Sequence, residues 1–264
     1  MLYTEALQGL GRLGLVWAVF QQKRYNSVHK SVYGLSYDLY LLECVTNFIS
    51  TYCSVLYRYS DLANVQFTNR YPLLYPSQGT GVPVSMALLV IDALLMIASA
   101  VVISQLWKYR ATRNVEQGAS LMLLGIFTSV VVFSYFTYAC SLHNLPKSNS
   151  GRFGVFYIEH INYLWVIGNA LSAFKYFPQL SLNWVGMSTK GFSPRYLKTS
   201  LISTIIIQVS NLFVSIDNLE FYEWPFNMTP RVVSALHLLA LLLLFYQHNF
   251  AYAKNKPFLK RTYD

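Results

Sequence analysis

The sequence predicts an all-α integral membrane protein with seven transmembrane helices, built as two parallel three-helix repeats joined by a linker helix. The 264-residue chain is 54% hydrophobic and only 12% charged, with a mean hydropathy of +0.35. It therefore has too few ionisable groups for the surface of a soluble globule of its size. Apolar stretches of the length that crosses a bilayer recur along the chain, and one polar motif occurs twice at a fixed spacing.

Seven apolar stretches are candidates for membrane-spanning helices. They lie at roughly 3–22, 35–57, 82–107, 119–140, 155–177, 196–216 and 231–253. The first carries Glu5 and Arg12 and could instead lie on the membrane surface, but its place at the start of a repeat favours spanning. It has no basic head and no small-residue cleavage site, so we expect it to stay in the protein rather than be removed as a signal peptide.

A polar motif in the second half of the chain has a diverged copy in the first. The intact copy reads Lys175-Tyr176-Phe177-Pro178-Gln179, continues to Asn183 and ends in Ser188-Thr189-Lys190-Gly191-Phe192-Ser193. In the copy 157 positions upstream, Gln21-Gln22 stands for Pro178-Gln179, Asn26 for Asn183, Ser31 for Ser188, Gly34 for Gly191 and Ser36 for Ser193. Matching at one offset without gaps indicates an internal duplication.

The duplication divides the chain into four parts. These are a first repeat at 1–110, a linker helix with its loops at 111–150, a second repeat at 151–254 and a cytosolic tail at 255–264. A single linker helix lets both repeats keep the same orientation in the membrane. Parallel repeats of this kind recur in transporters, whose substrate sites lie between the halves near the middle of the bilayer. The longest loop, about 58–81, has turn-forming residues and no apolar periodicity, so we expect no separate soluble domain.

The positive charges predict the orientation of the chain. Most Lys and Arg outside the apolar stretches fall in connectors one, three and five and in the tail: Lys23, Arg24, Lys30, Lys108, Arg110, Arg113, Lys190, Lys254, Lys256, Lys260 and Arg261. By the positive-inside rule these lie in the cytosol and the amino terminus is lumenal or extracellular. The net charge of +9 thus predicts a lipid bilayer as partner and no nucleic acid. The sequon Asn227-Met228-Thr229 falls on the lumenal side and agrees with this topology.

Polar side chains recur on one face of three predicted helices. They are Glu43, Asn47, Ser50 and Ser54 in helix two, Ser85, Asp92 and Ser99 in helix three, and Ser200, Thr204, Gln208 and Asn211 in helix six. The offset of 157 places Glu43 over Ser200 and Asn47 over Thr204. Two interpretations stay open, namely a substrate cavity or hydrogen bonds that hold helices together.

Glu43 and Asp92 favour the cavity interpretation. We expect no Lys or Arg to lie centrally enough to neutralise either carboxylate, and an unpaired buried carboxylate is costly. Such a group takes up and releases a proton near neutral pH, as a proton-coupled carrier requires. Glu159 and Asp38 lie at predicted helix ends, where capping or salt bridging is the simpler interpretation.

Pro178 predicts a kink near the end of predicted helix five, because proline removes a backbone hydrogen bond. Such a kink can act as a hinge in alternating access, or it can be a static bend. The chain offers no paired cysteine or histidine spacing for a disulfide or metal site and no nucleophile and base at motif spacing. We therefore expect no cofactor, no metal and no enzymatic activity.

The two motifs resemble those of the PQ-loop family, and within it the cystinosin branch of lysosomal and vacuolar cystine exporters. The resemblance rests on the motif from Lys175 to Ser193, on Lys30-Ser31 and Gly34-Leu35-Ser36-Tyr37-Asp38 in the first copy, and on Gln247-His248. It implies a hinge motif of Gln22, Pro178, Gln179 and Asn183. The family's helix-six aspartate falls on Ser200 by counting, which leaves Glu43, the repeat partner of Ser200, as the candidate replacement.

This resemblance implies a proton-coupled carrier that exports cystine or a similar small amino acid-like solute from an acidic lumen to the cytosol by alternating access. It implies a lysosome-like or vacuolar membrane, with the endoplasmic reticulum or Golgi as alternatives. The competing hypothesis is a PQ-loop protein that no longer transports and acts as an endomembrane sorting receptor or as a regulator of membrane trafficking. Loss of one Pro-Gln favours that hypothesis, whereas the interior carboxylates favour transport.

Overall fold

The computed structural model describes residues 2–74, 82–114, 117–142, 151–216 and 223–255. Regular structure within these ranges is helical: α1 (Leu2–His29), α2 (Tyr37–Tyr59), α3 (Asp61–Arg70), α4 (Met86–Lys108), α5 (Leu121–Leu142), α6 (Tyr157–Ala173), α7 (Phe177–Gly186), α8 (Pro194–Ile216) and α9 (Arg231–Tyr246). A π-helical turn, Gln247–Ala251, continues α9. Parts of the predicted linker region, and the predicted tail from 256 onward, lie outside the described ranges.

Four of the described helices are long and apolar enough to cross a membrane. They are α2, α4, α5 and the combined helix Arg231–Ala251. These helices confirm the expectation of a helical, multi-pass membrane protein. The other three predicted spans correspond to α1, to α6 with α7, and to α8, which carry more polar residues.

The long connection predicted after α2 contains the short helix α3. Ser60 caps this helix by accepting a hydrogen bond from the Ala63 amide, and Ala63 and Phe67, one turn apart, are buried. A short helix with two buried apolar residues gives too weak a periodic signal to be read from sequence. At its end, Arg70 donates to Glu159 at 2.7 Å, and this hydrogen bond raises the pKa of Arg70.

The helices pack as two related groups around a shared centre. α1 lies against α8 and α4, α2 lies against α4 and α6, and α8 lies against α9, whereas α5 packs on α6. The main apolar cluster joins α1, α2, α4, α8 and α9. Side chains on α5 are largely exposed, as expected for a helix that faces lipid.

The kink in predicted helix five lies just before Pro178. α6 ends at Ala173, and residues 174–176 form tight turns in which Phe174, Lys175 and Phe177 donate to the carbonyl three residues earlier. Pro178 has no amide hydrogen for the Phe174 carbonyl, and its ring would clash with that carbonyl in a continuous helix. The helix therefore restarts at Phe177 as α7, with Pro178 in its first turn. The corresponding region of α1 carries no proline and is continuous.

Glycine allows the close approach of α1 and α8. A Cβ atom on Gly11 would lie 2.9 Å from the Ser203 carbonyl oxygen and 2.5 Å from Ile207 Cγ1. Its repeat partner, Gly168, lies in the same way against Ile49 of α2. Small residues are the usual means by which membrane helices come this close.

We predict that Gly11→Ala destabilises the protein by about 1–3 kcal/mol, because the added methyl group overpacks the α1–α8 contact. Thermal unfolding in detergent measures the effect. Gly125→Ala on α5 is the matched control, since a Cβ there meets nothing within 4 Å. Equal midpoints for the two variants would contradict the proposed close contact.

Candidate functional site

Two buried glutamines join the halves of the molecule by reciprocal hydrogen bonds. Gln22 at the end of α1 donates to the Gly191 carbonyl at 3.0 Å and accepts from the Ser193 amide at 2.8 Å. Gln179 in α7 donates to the Gly34 carbonyl at 2.9 Å and accepts from the Ser36 amide at 2.8 Å. Each glutamine thus binds the loop that follows its repeat partner.

The same offset relates the neighbouring amides. Gln22 donates its second amide hydrogen to Asn26, and Gln179 does so to Asn183, both at 2.8 Å. Asn26 in turn donates to Gln105 at the end of α4, and Asn183 donates to Gln247 after α9. Both donors and the acceptor of each glutamine are therefore satisfied although the side chains are fully buried.

The two loops touch at a pair of glycines. Gly34 and Gly191 have positive φ angles of 71° and 101°. A Cβ atom on Gly34 would lie 2.1 Å from the Lys190 carbonyl oxygen, and one on Gly191 would lie 1.5 Å from the Tyr33 carbonyl oxygen. Only glycine fits these positions, both for its backbone conformation and for space. We call this contact, with Gln22 and Gln179, the loop crossing.

The loss of proline from the first motif leaves the loop crossing intact. The bonds of the first copy come from Gln22, which the sequence retains, and none of them involves Gln21. Gln117 in the linker region adds support that sequence reasoning missed, because its amide bonds the Leu35 carbonyl and the Gly34 amide. No motif spacing connects Gln117 to the loop that it holds.

A cavity of about 80 Å³ lies between the two helix groups. Of the predicted cavity residues it brings together Asn47, Asp92 and Thr204, and it adds Arg12, Lys175 and His237. Of the remaining predicted cavity residues, Ser200 is fully buried. Gln208 and Asn211 instead hydrogen bond to Ser234 of α9, which is the helix-joining interpretation of that stripe.

Asp92 is paired with a cation, so the expectation of an unneutralised carboxylate is wrong. Arg12 of α1 donates to Asp92 Oδ1 at 2.5 Å, and Ser50 donates to Oδ2 at 2.7 Å. Both charged side chains are less than a tenth exposed. A long side chain from another helix reaches the carboxylate, which periodicity within single helices does not reveal.

Glu43 is paired as well, and that expectation is also wrong. Lys175 Nζ lies 3.2 Å from Glu43 Oε1, and both groups are buried. Lys175 lies in the break between α6 and α7, so the irregular backbone before Pro178 places a cation at the centre of the molecule. The four charges cancel, and each buried ion has a partner that offsets part of its desolvation cost.

The acidic residues at helix ends have the structural roles expected of them. Glu159 binds Arg70 and also accepts from the Phe156 amide at 3.1 Å, capping α6. Asp38 accepts from the Ser120 amide at 3.0 Å and thereby attaches the start of α5 to α2. Neither contributes to the lining of the 80 Å³ cavity.

A segment before α9 covers the end of the cavity opposite the loop crossing. We call residues 224–230 the lid. Arg12 donates to the Asn227 carbonyl at 2.5 Å and to the Thr229 hydroxyl at 3.0 Å. The Asn227 side chain pairs with the amide and carbonyl of Ser85, and Trp165 donates to the Phe226 carbonyl. Arg12 therefore connects Asp92 to the lid.

We predict that Asn227 carries no glycan, because Asn227 is 5% exposed and both polar side chains of the sequon are hydrogen bonded, Asn227 to Ser85 and Thr229 to Arg12. Endoglycosidase treatment of the protein expressed in a eukaryotic host should leave its electrophoretic mobility unchanged. A mobility shift that disappears in Asn227→Gln would contradict the position of the lid.

We predict that Gln22→Ala and Gln179→Ala destabilise the protein by similar amounts, about 2 kcal/mol or more. Each substitution leaves several buried backbone and amide groups without partners. Denaturation in detergent measures both, and Gln21→Ala is the control beside the same loop. A loss of stability in Gln179→Ala but not in Gln22→Ala would show that the two copies contribute unequally to stability.

A relative of nearly the same length is found in yeast. The chain is 43% identical over 256 residues to the uncharacterized protein YCL002C of Saccharomyces cerevisiae, and the match covers 97% of each chain. No protein-family model matches the chain. At this identity and coverage, the chain belongs to the same protein family as YCL002C.

Proposed function

We propose that this protein is a seven-span, proton-coupled carrier that moves cystine or a similar small amino acid-like solute from an acidic lumen to the cytosol. The observation that carries the proposal is the cavity between the halves, which brings Arg12, Asp92 and Lys175 together. Lys175 links this cavity to the buried carboxylate Glu43. Lid residues line one end of the cavity, and the loop crossing lies about 15 Å farther along α1, at Gln22.

The charges suit a zwitterionic solute. An α-amino acid carries a carboxylate, which an Arg or Lys side chain can bind, and an ammonium group, which an Asp or Glu can bind. Arg12 and Asp92 both line the cavity, so one solute could exchange partners with an existing pair. No new buried charge would then be left uncompensated.

The cavity volume indicates an occluded conformation. About 80 Å³ is well below the roughly 300–1,000 Å³ of typical small-molecule sites, so a solute the size of cystine requires the cavity to expand. Expansion toward the lumen requires the lid to part from Arg12. Expansion toward the cytosol requires the glutamines to release the opposite loops.

A proton on Asp92 would act on the first of these steps. Arg12 is held by Asp92 on one side and by the lid on the other. Neutralising Asp92 removes the stronger, charged partner of Arg12 and favours binding of a solute carboxylate in its place. Proton binding and solute binding are thereby linked through one guanidinium group.

The dimensions of α1 and α8 support seven spans. At 28 and 23 residues they are about 42 and 34 Å long, enough to cross a hydrocarbon core of about 30 Å. Arg12 points into the cavity rather than toward lipid, which explains how a helix with this charge can span. The proposed topology has a lumenal amino terminus and a cytosolic carboxyl terminus. A lysosome-like or vacuolar membrane, or the endoplasmic reticulum or Golgi, follows from the PQ-loop resemblance.

We predict that acidifying one side of reconstituted proteoliposomes drives cystine uptake with an inward current, and that Asp92→Asn lowers both at least about tenfold, the lower range for loss of a proton-transfer group. Asp61→Asn, an exposed carboxylate at the start of α3, is the matched control. Since Asp92→Asn leaves Arg12 without its anion, thermal unfolding of this variant in detergent tests whether lost activity reflects misfolding. If Asp92→Asn kept the wild-type current, a residue other than Asp92 would couple proton and solute transport.

The second candidate function is a non-transporting regulator or sorting receptor. It is favoured by an apolar groove of about 1,100 Å³ between α5 and the helices α2, α7 and α9. Exposed side chains of Phe174, Trp184 and Tyr246 line it, and a transmembrane helix of another protein would fit its chemistry. Absence of current and uptake with any tested amino acid, for folded wild-type protein, would favour this function.

A further inference from the structure

A group of buried hydroxyls beside Glu43 is incompletely hydrogen bonded. The hydroxyls of Tyr40, Tyr176, Tyr196, Ser200 and Thr204, together with Glu43 Oε2, make no hydrogen bond of ordinary geometry to the residues that the structure describes. All six side chains are at most 1% exposed. Buried polar atoms are nearly always hydrogen bonded, so a cluster of six in one place calls for a specific explanation.

The six groups form a column rather than scattered defects. On α8, Tyr196, Ser200 and Thr204 follow one another at intervals of four residues, which places them on one face. On α2, Tyr40 and Glu43 are one turn apart and face α8, with the rings of Tyr40 and Tyr196 at 6.5 Å. Tyr176 enters from the break before α7. The Tyr196 hydroxyl lies close to those of Tyr40 and Tyr176, and the Tyr176 hydroxyl lies close to Lys175, so the three tyrosines form a line of polar groups beside Glu43.

The hydroxyls of Ser200 and Thr204 differ from others in these helices. Ser54, Thr51 and Ser99 each donate to the carbonyl four residues earlier, at 2.7–2.8 Å. Such back-bonding is the usual way to satisfy serine and threonine inside membrane helices. Ser200 and Thr204 make no such bond among the described residues. Their hydroxyls are therefore left for another partner.

The column connects the cavity to the loop crossing. Thr204 lines the cavity, and Tyr196 lies eight residues earlier on α8, about 12 Å away. One turn before Tyr196, the Ser193 amide is bound by Gln22. Apolar side chains of the main cluster surround this part of the molecule, so the column is a polar line through an otherwise dry interior.

We propose that this column holds a chain of water molecules and conducts the proton of the proposed carrier from Glu43 toward the cytosolic loop crossing. Water satisfies hydroxyls of this kind by donating and accepting at once. Glu43 in its acid form gives a proton to the first water, and a proton leaves the last water at the far end. The Glu43 carboxylate that remains pairs with Lys175.

The groups around the column suit this role. Lys175 is the cation beside Glu43, His237 packs its ring on Tyr176 at 5.3 Å, and Cys44 lies next to Glu43 in the chain. His237 donates to the Ser172 carbonyl through Nε2. The loop crossing closes the far end, so the proton is retained until the two loops separate.

The inference rests on the proposed function, and the decisive experiment separates the two. Tyr40→Phe and Tyr196→Phe remove one hydroxyl each and keep the ring. A carrier that cannot release its proton still exchanges labelled solute across the membrane, but it loses net proton-driven uptake. We expect exchange within about twofold of wild type and net uptake lowered at least about tenfold, with exposed Tyr135→Phe as the control. Net uptake at the wild-type level in both variants would contradict the proton path through the column, but not the proposed carrier function.

A measurement that does not depend on transport tests the column even if the protein shows no transport activity. Radiolytic hydroxyl labelling modifies buried side chains that lie next to bound water. We expect Tyr40 and Tyr196 to be labelled more strongly than Tyr57, which is equally buried but hydrogen bonded to Asn162. Labelling equal to that of Tyr57 would overturn the water chain. Strong labelling without any proton current in wild-type protein would overturn its role in conducting protons.

Discussion

The reciprocal hydrogen bonds of Gln22 and Gln179 constrain the rest of the structure. Each glutamine satisfies buried backbone groups of the other repeat, so neither repeat can complete its own end alone. The crossing also sets the depth of the polar residues. Ser36 and Ser193 cap α2 and α8 there, and Glu43 and Ser200 follow seven residues later, about 10 Å deeper along each helix. The depth of Glu43 and Ser200 is thus a consequence of the crossing.

The duplicated scaffold and the charged residues obey different rules. Amides and glycines of the crossing occur in both copies at one offset, because both loops need the same bonds. The charges do not repeat: Arg12 and Glu43 correspond to Asn169 and Ser200, and Lys175 corresponds to Ala18. The symmetry therefore stabilises the fold, and the proposed transport chemistry lies where the symmetry has been lost.

Sequence reasoning found the duplication because identical bonding demands leave identical residues at a constant spacing. It found the stripes of Glu43 and Asp92 because helical periodicity reports which residues share a face. It missed the partners Arg12 and Lys175, since periodicity within one helix does not show how far a long side chain reaches from another. It missed α3 because burial of two apolar residues leaves little pattern. Four helices are apolar enough to span a membrane on hydropathy alone, whereas α1 carries polar residues that are buried in the interior.

The two ion pairs contact opposite ends of the cavity region, one at the lid and one toward the crossing. This difference suggests an order of events for the proposed carrier. Arg12 joins Asp92 to the lid, so the charge state of Asp92 bears on the end of the cavity farthest from the crossing. Lys175 joins Glu43 to the break between α6 and α7, which leads directly into Gln179 and the crossing. A proton that moves from Asp92 to Glu43 would therefore first weaken the ion pair next to the lid and then the ion pair next to the crossing. In this sequence, each end opens only after the ion pair at the other end has formed again.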